Sequence, residues 1–196
     1  MYHKHHTRGV VLASLLESVD NRRVLLLTPD LGLVSAQVKS ARVAASKLKA
    51  GIQEYSFGEY SLLHGKMGWR LVSVRAQGNV FELNKNSKRK ISIISRVLNL
   101  VRIAVAGEES NPKIFEIIDS FLEYIKDAEE AEEEIVEVAT VARLLCTLGF
   151  LRHDPTLDEA MACSTISKAE IVLFQKSKLD LVVRINEALA AAEINS

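Results

Sequence analysis

The chain has 196 residues, of which 48% are hydrophobic and 26% charged, with 25 basic and 25 acidic side chains. This composition is typical of a globular protein and is long enough for one large domain or two small ones. No apolar stretch reaches the roughly 18 residues that a membrane helix needs, and the polar N-terminus lacks the apolar core of a secretory signal. The two cysteines, Cys146 and Cys163, are isolated in sequence, which excludes a disulfide framework and a zinc knuckle. We therefore expect a cytoplasmic protein.

The neutral total hides a charge asymmetry between the two halves of the chain. Residues 1–90 contain 15 Lys or Arg against 6 Asp or Glu, and the remainder contains 10 against 19. The halves therefore carry +9 and −9. Such an asymmetry indicates a polyanionic partner for the basic half, with ordinary solvated surfaces as the alternative.

The first half of the chain predicts five short strands separated by turn residues. They lie near residues 10–12, 23–27, 34–39, 55–63 and 69–74. In the third, Val34, Ala36 and Val38 alternate with polar residues, which predicts one buried and one solvated face. Five such strands, with a longer excursion near residues 41–53, favour a small closed barrel. The OB-fold, which commonly binds oligonucleotides, fits this pattern, and an SH3-like barrel would give a similar one.

Beyond about residue 86 the apolar residues recur at three- and four-residue spacing, which predicts helices. Ser87 is expected to cap the first helix, Pro112 to begin the second, and Gly149 to follow the third, which covers about residues 130–147. A last helix is predicted near residues 176–192, with an inward face formed by Leu179, Val182, Val183, Ile185 and Leu189. The sequence thus predicts an α+β protein, with a five-stranded OB-fold barrel over residues 1–80 and an all-α domain over residues 87–196.

Basic and aromatic residues of the barrel are the candidates for nucleic-acid binding. Cations neutralise backbone phosphates, and aromatic rings stack bases without regard to sequence. The phosphate-binding candidates are Arg22, Arg23, Lys39, Arg42, Lys47, Lys49 and Arg70. The base-stacking candidates are Tyr55, Phe57, Tyr60 and Trp69, for which filling the barrel is the competing interpretation.

Other reactive side chains do not assemble into a catalytic or metal site. His3, His5 and His6 lie next to the chain terminus, where we expect disorder rather than metal binding. Cys146 follows two leucines on a helical apolar stripe, which predicts core packing rather than a nucleophile. The acidic run at residues 127–134 is expected to form a solvated loop and helix N-terminus. We predict a protein with neither cofactor nor enzymatic activity.

Several of these segments, taken in order, resemble the RecO family of bacterial recombination mediators. The segments are 8–12, 27–34, 39–42, 46–48, Gln53, Phe57, 69–71 and the Leu-Leu-Cys-Thr-Leu-Gly-Phe stretch at 144–150. The resemblance implies DNA repair by homologous recombination: binding of single- and double-stranded DNA, annealing of complementary strands, and help for RecA to load on DNA coated by single-strand-binding protein. It also implies RecR as a partner and association with the nucleoid. By position, Lys39, Arg42, Lys47 and Lys49 match the basic segment of the family.

The chain departs from the family pattern in two places. Many members carry a four-cysteine zinc module in the helical domain, whereas residues 152–164 retain only Cys163, so no zinc site is predicted. Ser40 stands where the family usually has glycine, and the uncharged stretch Val43–Ala45 reduces the positive charge of the basic segment. The remaining alternative is an interaction scaffold whose barrel binds a peptide instead of DNA.

Overall fold

A computed structural model describes residues 3–17, 21–39, 47–105, 107–152, 157–192 and 194. It confirms the predicted α+β class, because a closed five-stranded barrel precedes a helical region. The strands are β1 (Lys4–Leu16), β2 (Arg22–Thr28), β3 (Gly32–Val38), β4 (Ser56–Gly65) and β5 (Gly68–Asn79).

The strand order around the barrel is that of an OB-fold. The described strands follow the order β1-β2-β3-β5-β4, and β4 closes the barrel against β1. The β3–β5 pairing is parallel and places Gln37 beside Arg70, whereas β1–β2, β2–β3, β1–β4 and β4–β5 are antiparallel. Closure between β3 and β5 rests on only two residue pairs, Ala36 with Trp69 and Gln37 with Arg70.

Side-chain alternation fills the barrel interior as the sequence predicts. Val34, Ala36 and Val38 are fully buried in the barrel core. Between β3 and β4, the short helix α1 (Lys47–Gly51) packs against β5. The helix approaches so closely that a side chain at Gly51 would lie 2.1 Å from a methyl carbon of Val74. Glycine at this position therefore allows the helix to reach the strand.

The barrel is followed by helices α2 to α8, and the predicted helix starts are confirmed. Their bounds are α2 (Val80–Asn84), α3 (Lys88–Ala104), α4 (Pro112–Asp127), α5 (Glu130–Thr147), α6 (Asp158–Ala162), α7 (Lys168–Lys176) and α8 (Lys178–Ala191). The Ser87 hydroxyl accepts a hydrogen bond from the Lys90 N–H at 3.2 Å and caps α3. Gly149 follows α5 with a φ of +80°, a conformation that glycine adopts without strain.

The predicted last helix is confirmed as α8, but part of its predicted inward face is wrong. The helix before it, α7, which ends before Ser177, was not predicted. In α8, Leu181 and Ile185 are buried, whereas Leu179 is 84% exposed and Val183 is 55% exposed. Both pairs have the four-residue spacing of one helix face, so periodicity alone could not decide which pair points inward.

A buried arginine joins α5 to the two segments that follow it. The Arg143 guanidinium donates to the Ala160 carbonyl oxygen at 2.8 Å, the Thr165 carbonyl oxygen at 2.7 Å and the Glu170 carboxylate at 2.5 Å. Its Cζ atom also lies 5.3 Å from the ring centroid of Phe174. Burial lowers the pKa of Arg143, and the charge of Glu170 opposes that shift. Sequence periodicity gave no sign of this residue, because it lies on an otherwise apolar helix face.

The contacts divide the chain into two compact units. The barrel unit contains residues 1–85 and 106–112, and the helical unit contains residues 86–105 and 113–196. The segment Gly107–Ser110, which we call the strap, follows α3 but packs on the barrel. The Leu33 N–H donates to the Gly107 carbonyl oxygen at 3.2 Å, and the Ser110 hydroxyl donates to the Pro29 carbonyl oxygen at 3.2 Å.

The N-terminal histidines are ordered, contrary to expectation. His5 and His6 belong to β1, opposite Leu62 and Ser61 of β4, and the His6 Nδ1 atom lies 2.9 Å from the Ser61 hydroxyl. Strand pairing with β4 therefore orders this end of the described chain. Within the described ranges, no three His, Cys, Asp or Glu side chains are placed to share a metal ion, and no helix is long and apolar enough to cross a membrane.

Candidate nucleic-acid interface

A cationic groove runs along β3, β5 and the turn between β4 and β5. The groove encloses about 440 Å³, and we call it the basic groove. Its lining residues are Gln37, Lys39, Leu63, Gly65, Lys66, Met67, Gly68, Trp69 and Arg70. The parallel β3–β5 pairing brings Gln37 next to Arg70, and Lys39 follows directly at the end of β3. The tight β4–β5 turn adds Lys66 from the opposite side.

The three cations of the basic groove are free to meet an anionic ligand. Lys39, Lys66 and Arg70 are exposed, and none of them forms an ion pair with any residue that the structure describes. Like charges held together on a concave surface focus a positive potential. Phosphate groups respond to such a potential with a salt-dependent affinity. The basic groove therefore has the electrostatic properties that a nucleic-acid backbone requires.

Trp69 lies at the base of the groove and is largely enclosed. It is 8% exposed, and its indole N–H donates to the Glu108 carboxylate at 2.7 Å. The rings of His5 and His64 lie edge-on to it, with centroid distances of 5.1 and 4.7 Å. An incoming base reaches the Trp69 ring only if one of these neighbours moves. The ring also belongs to the hydrophobic core of the barrel, so the structure favours the competing interpretation for Trp69, filling of the barrel, over base stacking.

Arg22 and Arg23, the predicted contacts on β2, are engaged within the barrel. Arg22 donates to the Ser14 hydroxyl at 3.2 Å. Arg23 forms an ion pair with Glu17 and also donates to the Ser35 hydroxyl at 3.4 Å. A phosphate that binds Arg23 must compete with the carboxylate of Glu17. These two residues are therefore weaker candidates than the three groove cations.

The remaining predicted cations do not line the basic groove. Arg42 and the side chain of Lys47 lie outside the described residues. Lys49 is exposed on α1, which packs against β5 near Val74. Arg70 precedes Val74 by four residues on β5, a separation of about 13 Å along a strand. The structure thus brings Lys39 and Arg70 together and leaves Lys49 elsewhere on the barrel.

The stacking role predicted for Tyr60 is incompatible with its position. Tyr60 is 1% exposed, and its hydroxyl donates to the carbonyl oxygens of Gly51, at 3.0 Å, and Ser56, at 3.3 Å. Burial raises the pKa of the phenol, as expected for a core tyrosine. The ring fills the barrel and cannot meet a base.

Tyr55 and Phe57, the other two predicted stacking residues, are half-buried. The Tyr55 ring packs on Phe81 with a centroid distance of 4.4 Å. The Phe57 ring lies over Gly78, where an added side chain would approach the ring carbon Cζ to 2.8 Å. Each ring therefore keeps an exposed part but also has a packing partner, and neither lines the basic groove.

Two polar side chains of the basic groove, those of Lys66 and Gln37, were not among the predicted contacts. Lys66 lies in the β4–β5 turn, whose Gly-Lys-Met-Gly sequence marks a hairpin and offers a signal for it. Gln37 was expected only on the outer face of its strand. Its position beside Arg70 depends on the parallel pairing of β3 with β5, which no local pattern reveals.

Several cations of the helical unit are paired with its acidic residues. The Arg89 guanidinium lies 3.2 Å from the Glu133 carboxylate. Glu133 is buried, whereas the sequence predicts that it is solvated. Arg96 donates to Glu137 at 2.6 Å, and this hydrogen bond raises the pKa of the guanidinium. The Lys178 ammonium lies 2.8 Å from Glu134. A hydrogen bond from Lys178 lowers the pKa of the Glu134 carboxyl. These cations of the helical unit are therefore neutralised locally, in contrast to the three cations of the basic groove.

Comparison with known proteins decides the family. A family model described as the C-terminal part of recombination protein O matches residues 87–194, which is more than half of the chain. The chain belongs to the RecO family. The predicted resemblance to RecO is thereby confirmed, and the match covers nearly all of the helical unit.

Full-length relatives are similar across both units. A DNA repair protein RecO from Dehalococcoides mccartyi is 30% identical over 132 residues, covering 66% of this chain and 51% of that protein. The RecO protein of Alkaliphilus metalliredigens is 25% identical over 161 residues, covering 82% and 63%. That of Chlorobium limicola is 26% identical over 160 residues, covering 79% and 58%. The chain thus spans only about half to three fifths of the length of these RecO relatives.

Proposed function

We propose that this protein is a non-catalytic mediator of DNA repair and homologous recombination whose barrel binds DNA in the basic groove. The observation that carries the proposal is the set of three unpaired cations, Lys39, Lys66 and Arg70, in one groove of an OB-fold barrel. Membership of the RecO family and the name "DNA repair protein" of its relatives support the same process.

The groove overlaps in part with the surface through which OB-folds bind oligonucleotides. Their ligands lie across the second and third strands and contact the loop between the first and second strands and the loop between the fourth and fifth strands. Here Lys66 comes from the latter loop, while Lys39 and Arg70 come from β3 and β5. These groups favour backbone contacts, which single- and double-stranded DNA both offer.

Strand annealing follows from the same chemistry without a catalytic group. Two complementary strands repel each other through their phosphates, and cations on a protein surface reduce that repulsion. Base pairing then supplies the specificity, so the protein needs neither a general acid nor a general base. We propose that annealing, and the loading of RecA on DNA coated by single-strand-binding protein, are the tasks of the barrel and its partners.

The helical unit is proposed to hold the protein partners, single-strand-binding protein, RecR and RecA. Its helices α7 and α8 expose the apolar side chains of Val172, Leu173, Leu179 and Val183. Exposed apolar residues on neighbouring helices are typical of protein-interaction surfaces. The net negative charge of the helical unit does not favour binding of DNA.

A peptide-binding scaffold is the second candidate function. The observation in its favour is Met67, which is 87% exposed at the rim of the basic groove, near Leu63. Apolar contacts of this kind would hold a peptide with little dependence on salt. DNA binding predicts the opposite, an affinity that falls steeply as salt rises.

The decisive experiment is a titration of a labelled single-stranded oligonucleotide at several salt concentrations. The logarithm of the affinity should fall with the logarithm of salt, with a slope of about −0.7 for each phosphate contact. Lys39→Ala with Arg70→Ala should make the slope shallower by about 1.4. The matched control is Lys168→Ala with Lys176→Ala, which removes two exposed cations from α7 and should leave the slope unchanged. Undetectable binding of the unmodified protein at low salt would refute the proposal.

A second variant tests the basic segment that the sequence predicts. Alanine at Arg42, Lys47 and Lys49 together should also flatten the salt slope while leaving the fold intact. If this triple variant flattens the slope and the variant at Lys39 and Arg70 does not, the DNA lies beside α1 and not in the basic groove. Circular dichroism of each variant verifies that the fold is retained.

A further inference from the structure

The strap places an acidic side chain against the aromatic residue of the basic groove. Glu108 accepts the hydrogen bond of the Trp69 indole at 2.7 Å, and Trp69 itself lines the groove. Glu108 is exposed and forms no ion pair with the cations that the structure describes. Its negative charge therefore lies beside a residue that lines the groove, and no described cation pairs with it.

The backbone around the strap is shaped to receive it. At Gly32 the φ is +68°, and a side chain there would lie 2.3 Å from the carbonyl oxygen of Glu109. The Leu33 N–H and the Ser110 hydroxyl supply the two further contacts given above. We call the barrel surface at Gly32 and Leu33 the seat of the strap, and the close contact there requires a glycine.

The contacts that hold the strap are nevertheless few. Residues 107–110 are all exposed, and among the described residues one backbone hydrogen bond and two hydrogen bonds that involve side chains hold the strap to the barrel. Segments with few buried contacts open at a low free-energy cost compared with the core. The strap can therefore leave its seat without unfolding the barrel.

We propose that the strap is a competitor for the basic groove: Glu108 holds the Trp69 indole N–H and opposes anionic ligands until a bound phosphate backbone displaces it. The proposal rests on the proposed function and adds its regulation. A phosphate at Lys39, Lys66 or Arg70 meets repulsion from the Glu108 carboxylate, so binding favours the conformation in which the strap has moved away. Displacement then exposes the indole N–H edge of Trp69, while the ring remains part of the barrel core.

The expected effect is moderate because the charges are near the solvent. Unit charges within about 10 Å of each other at a protein surface change an affinity by about threefold to tenfold at low salt. A charge-neutral Glu108 should therefore strengthen binding by about that factor. The gain should shrink as salt screens the repulsion.

The test compares Glu108→Gln with Glu109→Gln in the full chain. The two variants lose the same charge from adjacent strap residues, but only Glu108 contacts Trp69. The probes are a single-stranded oligothymidine and, separately, inorganic polyphosphate, which has phosphates and no bases. We expect Glu108→Gln to bind both probes about threefold to tenfold more tightly than Glu109→Gln at low salt. Equal affinities of the two variants would overturn the proposal.

Trp69 reports the displacement directly, because it is the only tryptophan in the chain. Acrylamide, a neutral quencher, should quench its fluorescence weakly in the free protein and more strongly when polyphosphate is saturating. Quenching that stays constant or decreases on saturation would show that the strap remains seated, which also overturns the proposal.

The two probes separate failure of this inference from failure of the proposed function. Binding of polyphosphate without binding of oligothymidine would refute DNA binding, and the polyphosphate affinities of the two variants would still decide the role of the strap. Binding of neither probe would refute both. Binding of both probes with equal affinities for the two glutamine variants would refute the strap alone.

Discussion

The cations of the barrel unit and those of the helical unit differ in what surrounds them. In the helical unit, Arg96 and Lys178 are held by carboxylates on α5, and Arg143 is buried against Glu170. In the barrel unit, the cations of the basic groove have no such partners among the described residues. A paired cation stabilises the fold, whereas an unpaired one is available to a ligand.

Folding also redistributes the charge that the sequence counts. Lys88, Arg89 and Lys90 fall in the helical unit, and the acidic residues Glu108 and Glu109 of the strap fall in the barrel unit. The barrel unit then carries 12 basic and 8 acidic residues, and the helical unit 13 and 17. The formal net charge is therefore +4 for the barrel unit and −4 for the helical unit, whereas the two sequence halves carry +9 and −9. The proposed DNA binding therefore rests on the local arrangement of three cations more than on the net charge of a half.

The largest expected effect is the loss of the buried arginine of the helical unit. Arg143→Ala leaves two carbonyl oxygens and the Glu170 carboxylate without their donor in a buried site. Breaking a buried ion pair in this way costs about 3–5 kcal/mol. Urea denaturation followed by far-ultraviolet circular dichroism should show the loss.

Arg70→Ala is the matched variant in the barrel unit. It removes an exposed arginine without an ion pair, so the free energy of unfolding should change by less than about 0.5 kcal/mol. Its effect should instead appear in the salt dependence of DNA binding. Similar destabilisation by both substitutions would contradict the distinction between structural and ligand-binding cations.

The second prediction concerns two leucines on α8. Leu181→Ala removes a fully buried side chain and should destabilise the protein by about 2–5 kcal/mol. Leu179→Ala removes a side chain that is 84% exposed and should change the stability by less than about 0.5 kcal/mol. Thermal unfolding of both variants measures the difference. A larger loss of stability for Leu179→Ala than for Leu181→Ala would instead support the inward face that periodicity predicts.

The smallest of the three effects concerns the seat of the strap in the barrel unit. Gly32→Ala combines an unfavourable φ with a clash against Glu109, whereas Gly68→Ala has a similar φ of +87° but no atom within 4 Å. Backbone strain of this kind costs about 1–3 kcal/mol, and both variants share it. The additional clash at Gly32 should displace the strap and raise acrylamide quenching of Trp69. Equal quenching in the two variants would argue against a seat at Gly32.

Much of the architecture could be predicted from local sequence patterns. Alternation placed Val34, Ala36 and Val38 in the core, because a strand has a two-residue period and one face must leave water. Ser87 and Pro112 marked helix starts, because the groups that cap a helix are close neighbours in sequence. The order of short segments was also enough to indicate the RecO family.

The tertiary structure decided which of the candidate residues can act together. Basic residues are recognisable from sequence, but Gln37, Lys66 and Arg70 share a groove only because β3 pairs with β5 and the β4–β5 turn returns beside them. Aromatic residues are equally recognisable, yet barrel closure buries both Tyr60 and Trp69 in the core. Composition and periodicity report on neighbours along the chain. Burial and charge pairing depend on residues that are distant in sequence and meet only in the folded protein.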